Sequence, residues 1–449
     1  MSRAQLESVL AATAPLRDSL GGVVGRLNEL PRLAGHPRLF HYSADRAGQQ
    51  PIGVDLRRAN HYDLLPNVPG AGVSTNPLEA QVRATAEAIE RYCMSVYSGA
   101  QFITATADEL GDEAMDLDTV PRCDPNEQAV ATGIFSLPRK DVPMRWMKAI
   151  SLIDGRTYYV PAIMVYLFFP PISREENMWA PISTGCATHV DLDRALVSAL
   201  CEVIERDALM LTWLHQLPLP RIDLGPIDAL PAELQSMLAI MRESNLRYEL
   251  FDATTDLGVP TIYALQLSDE TDLLANLVVS ATKLDPMQAV LRTLEEGCSS
   301  RIALESLMGP GSNRERKARE QIVSLEDCAL YYGDRASRND FDFLLKSERR
   351  HSLASMPNLT TGSAQGDLRG LLDIFRRRNM QVFAVDLTTP EVRDAGLWSV
   401  RTIVPELMPL SSVYGIRFLG TRRLYDAPAA MGYGTRTIAD VTPKPQPFA

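Results

Sequence analysis

The 449-residue chain has only six cysteines and six histidines, with no C-x-x-C pair and no H-E-x-x-H. That scarcity excludes a disulfide scaffold and gives no ligand spacing for a zinc site. Cys93, Cys123, Cys186, Cys201, Cys298 and Cys328 read as buried, reduced thiols. Positive charge is also short: 45 Lys and Arg stand against 56 Asp and Glu, a net −11. A chain of that balance lacks the footprint of a nucleic-acid or anionic-membrane binder. No run is long and apolar enough for a membrane span, since the most apolar one, "TYYVPAIMVYLFFPPI", is short and holds three prolines. It reads as one or two buried strands ending at Pro170. The opening "MSRAQLESVLAATAPLRDSL" is neither secretory signal nor transit peptide, so the cytoplasm is the expected compartment. Neither G-x-x-x-x-G-K-[ST] nor G-x-G-x-x-G occurs, so any nucleotide site is of a non-P-loop kind.

What is present is a soluble globular composition, 45% hydrophobic and 22% charged, long enough for a large core. A helical region is expected from Ala4 to Leu30, then a turn at "VPGAGVST", Val68–Thr75. Asn76 and Pro77 read as N-cap and first residue of a helix reaching about Tyr97. Asp154–Gly155 marks a hairpin within "SLIDGRTYYV". A second helix is expected over Leu192–Leu214 and a third in "PMQAVLRTLEEGCSSRIALESL", which opens on Pro286. "TIYALQLSD", "ANLVVSATK", "QVFAVDLTT" and "SVRTIVPEL" read as strands, and Gly309–Asp327 as a charged, exposed insert. Strands interleaved with amphipathic helices give an α/β or α+β class. The expected division is an N-terminal helical segment, residues 1–55, and a catalytic domain, 56–449, ending in a Pro-rich tail, 443–449.

One charge pattern is spelled twice. Glu-x-x-Glu-Arg occurs as Glu87, Glu90, Arg91 and, 115 residues on, as Glu202, Glu205, Arg206. With about 100° of turn per residue, Glu202, Glu205 and Arg206 share a face with Ser198, opposite Leu196, Leu200, Val203 and Ile204. In the first copy Arg83, Glu87, Glu90 and Arg91 oppose Val82, Ala86, Ile89 and Cys93. A single copy would read as a solvated helix face. Two copies in apolar surroundings suggest that the helices face one another, since paired glutamates repel unless a cation or donor offsets them. Four carboxylates suit Mg²⁺ and two arginines suit phosphate oxygens, which is what a Mg–nucleotide site built from helices needs.

At these residues the sequence resembles the YcaO family, ATP-using enzymes that modify peptide backbone amides. "STGCATHVDLDRALVSALCEVIERDAL" carries the most specific match, and "AVDLTTPEVRDAGLWSVRTIVPELMPL" a second, with Glu406 where Gly is common. The ending "PKPQPFA" supplies P-x-P-x-P at Pro443, Pro445 and Pro447, a signature of azoline-forming members. The resemblance implies a YcaO-type fold with two related halves, helices packed on mixed sheets and a non-P-loop site for ATP and Mg²⁺. It assigns Glu87, Glu90, Glu202 and Glu205 to the metal. The same residues, with Arg91, Arg206, Ser183, Ser198, Glu296 and Arg301, are assigned to the nucleotide. His189, Pro445, Pro447 and the terminal Ala449 are implied in catalysis, the stiff tail carrying its carboxylate into the cavity.

The activity implied is cyclodehydration of Cys, Ser or Thr in a ribosomally made precursor peptide. The side chain attacks the preceding amide carbonyl, the oxyanion takes phosphate from ATP, and elimination leaves a thiazoline or oxazoline. The partners implied are the precursor peptide, a separate E1-like leader-binding protein and a flavin-dependent azoline dehydrogenase, with a homodimer as the default assembly. Departures from the family pattern stand at Ala71 (usually Lys), Arg83 (Ser), Val190 (Asn), Arg194 (Glu) and Ser299 (Gln), with Asp191 or Asp193 as substitutes for the lost carboxylate. They keep two alternatives open: a thioamide- or amidine-forming enzyme, and a nucleotide-binding scaffold that has lost activity. A hydrogen-bonded structural role for His189 is the competing reading at that position.

Overall fold

The computed structural model describes residues 2–18, 22–46, 69–131, 135–180, 182–271, 273–308 and 316–448. Its strands are β1 Val24–Glu29, β2 Phe40–Arg46, β3 Gly70–Ser74, β4 Ile103–Ala105, β5 Met144–Ser151, β6 Thr157–Pro161 and β7 Cys186–His189. They continue as β8 Arg221–Asp223, β9 Leu246–Asp252, β10 Thr261–Ser268, β11 Asn276–Thr282, β12 Arg350–Ser352, β13 Phe383–Asp386 and β14 Trp398–Ile403. Six helices of ten residues or more accompany them among the described residues: α1 Arg3–Ala12, α2 Pro77–Cys93, α3 Leu192–Leu214, α4 Ala232–Arg242, α5 Pro286–Met308 and α6 Ala364–Arg377. None of the described helices is long and apolar enough to cross a membrane.

The strands form three sheets, ordered β1-β2-β3, β11-β10-β9-β8-β12 and β4-β5-β13-β14-β7, with β6 paired to β5. Pairing is antiparallel except between β8 and β12, so the second sheet is mixed. Helix α2 lies on β3, α3 packs against β7, β14 and β11, and α5 covers β11 and β10. Every residue of β10 and β11 is buried, because alternate side chains feed separate clusters on the two faces. Tyr263 and Leu265 join Trp213 on one side, while Ile262 and Ala264 join Leu294 on the other. The result is a mixed α/β fold with helices on several sheets.

Helix signals behave as read. Asn76 caps α2, its side chain accepting from the Leu78 amide, with Pro77 following; Asp191 caps α3 by accepting from Arg194. The third helix begins at Pro286 as expected, and the Asp154–Gly155 turn joins β5 to β6.

Four expectations are corrected. The N-terminal helix stops at Ala12, since Pro15 opens a short 3-10 turn and Val23–Val24 enter strand β1. Strands β1 and β2 pair with β3 in one sheet. "GAGVS" is strand β3, not a turn; Val68 lies outside the described residues. After β6 the apolar run continues as a 3-10 turn and irregular chain through Phe169, buried from Val160 onward around the Tyr97, Phe102, Tyr166 and Phe169 rings. Of the charged insert, 309–315 lie outside the described residues, and Ile322 and Asp327 are buried, the latter paired with Lys317.

Candidate nucleotide and metal site

The site begins with a close approach of backbone to backbone. Helix α2 turns Ala80, Ala84 and Ala88 toward β3, and the facing residues there are Gly70 and Gly72. A Cβ at Gly72 would meet the Ala80 carbonyl oxygen at 1.9 Å, and one at Gly70 the Ala84 carbonyl oxygen at 2.2 Å. These glycines are needed for the absence of a side chain, not for a left-handed backbone. The approach brings the Ala71 amide within 2.9 Å of Glu87 Oε2, while Glu87 Oε1 accepts from Arg91 Nη2 at 3.1 Å.

Helix α3 repeats the device. Glu202 Oε2 accepts from the Gly185 amide at 3.0 Å, and Glu202 Oε1 from Arg206 Nη2 at 3.0 Å. Gly185 has φ +85, and a Cβ there would meet the Thr402 carbonyl oxygen at 2.5 Å, so glycine is required on both counts. In each copy, therefore, the first glutamate is held by a backbone amide and by the arginine four residues on. The second glutamates differ: Glu205 accepts from Arg206 Nη1 at 2.7 Å and from the Thr282 amide at 2.9 Å. No described residue donates a hydrogen bond to Glu90.

Both copies line one cavity of about 1960 Å³, bounded by α2, α3 and α5. Burial pushes the Glu90 carboxyl up to about 8, with Arg91 opposing and the charges of Glu202 and Glu87 adding to the rise. Burial likewise raises Glu205 to about 7, against Arg206 and with help from Glu202 and Glu296. Carboxylates from three helices thus act on each other across one space. The Nε atoms of Arg91 and Arg206 and the Thr184 hydroxyl are buried there without a hydrogen-bond partner among the described residues. This donor set fits hard oxygen-liganded Mg²⁺ and anionic phosphate together. Among the described residues no three acidic, His or Cys side chains make a cage for an ion by themselves. Mg²⁺ bound with a nucleotide needs none, since it takes one or two carboxylates and completes its shell with phosphate oxygens and water.

Helix α5 supplies a third wall. Glu296 lines the cavity and pairs with Arg292; Glu295 accepts from Arg83 Nη1 at 2.5 Å, and Arg83 Nη2 donates to Glu79 at 2.7 Å. Arg301 is placed elsewhere, which corrects its assignment to the nucleotide. It is 1% exposed and consumed by Gln266, Glu305 and the Leu274 carbonyl, tying α5 to the second sheet. Arg292 is the arginine of this helix that reaches the cavity, and its i,i+4 spacing to Glu296 was the available signal. Val82 and Ala86 also face the cavity, not the packed stripe, which is the alanine row with Thr85, Ile89 and Cys93. Asp191 is spent as the α3 cap and does not line the cavity.

Ser183, Ser198 and His189 line the cavity, as do the departures Ala71, Arg83, Val190 and Ser299; Arg194 does not. His189 Nδ1 accepts from the Asp191 amide at 2.9 Å, and burial lowers its affinity for a proton, so the ring is neutral near pH 7. The Pro-rich segment is docked. Tyr332 donates to the Pro445 carbonyl at 2.6 Å, residues 445–448 are buried, and Phe448 bridges to Val278 of β11. The Phe448 ring covers the Arg206 guanidinium at 4.3 Å and forms part of the cavity wall. Ala449 lies outside the described residues.

A cavity between helices that offers carboxylates to a divalent cation and guanidinium groups to phosphate, with no P-loop, defines a helix-built Mg–nucleotide site. The chain belongs to the YcaO family: residues 71–408 match the family described as YcaO cyclodehydratase, ATP- and Mg²⁺-binding. It is thus a member of a family of ATP- and Mg²⁺-dependent enzymes that modify peptide backbones. A heterocyclase solved in complex with substrate and cofactor superimposes with a TM-score of 0.78 at 21% identity, covering 99% of this chain and 57% of that one. YcaO from Methanopyrus kandleri, bound with AMPPCP and Mg²⁺, gives 0.64 at 15% identity, covering 90% and 91%. A protein encoded in the tfuA 3′ region of Rhizobium leguminosarum bv. trifolii is 28% identical over 267 residues, 56% of this chain and 58% of that protein. The chain spans just over half the length of the heterocyclase and of the Rhizobium protein.

Proposed function

We propose that this protein is an ATP-dependent cyclodehydratase that converts Cys, Ser or Thr residues of a ribosomally made peptide to thiazolines or oxazolines. The observation that carries this reading is the docked tail: Pro445 to Phe448 are buried, and Phe448 stands on Arg206 at the cavity wall. In the reaction, the substrate thiol or hydroxyl forms a bond to the preceding amide carbon and gives up its proton. The resulting oxyanion takes the γ-phosphoryl group of ATP and ADP leaves. Phosphate then departs with that oxygen as the C–O bond breaks, and loss of the amide proton completes the C=N bond. Losing water from an amide in water is unfavourable, and the phosphoryl group makes the oxygen a good leaving group.

The chain's own part is to position groups and balance charge. Glu87, Glu90, Glu202 and Glu205 would hold Mg²⁺, whose charge offsets that of the phosphates. Arg91 and Arg206 would meet anionic oxygens with their Nε atoms, which no described residue engages. His189, neutral and beside Val190, is suited to accept a proton from the substrate; the Ala449 carboxylate is proposed as base or positioning group. Leader recognition falls to an E1-like partner, oxidation to a flavin enzyme, and the active form is a homodimer.

Extending the chain beyond Ala449 by a few residues should abolish azoline formation while leaving Mg–ATP binding intact. Full turnover by the extended protein, with partner and peptide present, would refute the reading. A second reading keeps the ATP step and takes sulfide or an amine from solution, giving a thioamide or amidine. The relative in the tfuA 3′ region favours it. Product mass decides: cyclodehydration removes one water, whereas thioamidation exchanges oxygen for sulfur.

A further inference from the structure

Seven cationic side chains line the cavity, and six are already neutralised. Arg83, Arg91, Arg206 and Arg292 carry the glutamate partners described above, while Arg316 pairs with Asp334 and Lys317 with Asp327. The seventh is Lys283. Its ammonium has neither a carboxylate nor a hydrogen-bond acceptor among the described residues. It stands one residue beyond Thr282, whose amide clips Glu205, and three before Pro286, the first residue of α5. A half-buried lysine in that position gives up part of its hydration without a protein anion in return.

We infer that Lys283 is a phosphate-binding residue of the nucleotide site. The inference rests on Mg–ATP being the ligand of this cavity and is independent of which product the enzyme forms. Two features favour phosphate over a carboxylate of the peptide. First, α2, α3 and α5 present seven carboxylates to the cavity against four guanidinium groups, so an unaccompanied carboxylate would enter a negative field. A triphosphate arrives with its own divalent cation. Second, the Glu205 clip sets the backbone of Lys283 one residue from the group that holds Glu205, which Arg206 also pairs. The α5 N-terminus itself is capped by Asp285, which accepts from the Met287 amide at 2.9 Å and is not paired with the ammonium. Ala71 stands where a lysine is common in the family, and Lys283 is the lysine that the same cavity offers without a carboxylate partner among the described residues.

The test is titration calorimetry on the full chain with Mg–AMPPNP, which needs neither peptide nor partner. Losing a charge-assisted phosphate contact in Lys283→Met should weaken binding about tenfold or more. Lys283→Arg, which keeps the charge, should stay within about threefold. Should the methionine variant be poorly folded, Lys283→Gln gives the same comparison. Unchanged affinity in the charge-removing variants would overturn the assignment. So would unchanged nucleotide affinity with a raised peptide KM, which would give the lysine to a substrate carboxylate. Failure of the wild-type protein to bind Mg–AMPPNP would remove the nucleotide reading itself, and the assignment with it.

Discussion

Gly72→Ala puts a methyl group in place of a hydrogen at the tightest glycine contact among the described residues. The new Cβ would lie 1.9 Å from the Ala80 carbonyl oxygen and 2.6 Å from the Ala84 amide nitrogen, both backbone atoms of α2 that no rotamer change can move. Restoring an ordinary contact of roughly 3.4 Å requires the helix and strand to separate by about 1.5 Å, the kind of overpacking that costs about 1–3 kcal/mol. The same movement carries Glu87 away from the Ala71 amide, now 2.9 Å distant, so the first glutamate loses its clip. Urea denaturation should show a lower midpoint with unchanged slope, and calorimetry a weaker Mg–AMPPNP. Gly370→Ala in α6, where an added Cβ meets nothing within 4 Å, is the control. It should gain about 0.5–1 kcal/mol from helix propensity. A Gly72→Ala protein as stable as wild type, with full nucleotide affinity, would refute the argument that these glycines set the position of α2.

Glu406 is raised to about 7 by burial, against the lowering effect of the Gln381 and Glu406 backbone amides, and its Oε2 and the Gln381 Oε1 are buried without donors among the described residues. A carboxyl raised on folding favours the folded state below its unfolded value of roughly 4.5, and that contribution is lost as pH climbs to 7, an amount near 3 kcal/mol. Glu406→Gln should therefore equal wild type at pH 4.5 and exceed it at pH 8, measured by denaturant midpoints; equal midpoints at pH 8 would refute this. Arg423 holds the fully buried Asp207 through Nη2 at 2.6 Å and shares Asp256. Arg423→Ala leaves Asp207 uncompensated and should cost about 3–5 kcal/mol, whereas a loss below 1 kcal/mol in the same measurement would mean that the pair behaves like a surface one.

Helix α3 was legible to its ends because cap, amphipathic period and length agreed at Asp191 and Leu214. The doubled motif was legible because its charges stood out against apolar neighbours. Strand β3 was not, because its glycines answer to the alanine row of α2, and glycine in sequence signals a turn more readily than a tertiary contact. Position 301 shows the same limit: Arg301 and Arg292 flank Glu296 on one helix, and only the packing against Gln266 decides which of them the cavity keeps. The irregular course of the chain after β6 was not legible, although its burial was, because apolar content alone does not fix a repeating backbone.

The wall at Phe448 also orders events during synthesis. Every cavity glutamate of α2, α3 and α5 has been made once the ribosome passes Glu296, yet β7 still lacks β14, its sheet neighbour among the described residues, and Arg206 lacks its aromatic cover. At roughly 5–20 residues per second the remaining stretch to Phe448 takes on the order of 8–30 s. For that time the nascent chain carries an acidic cleft that still lacks its Phe448 wall.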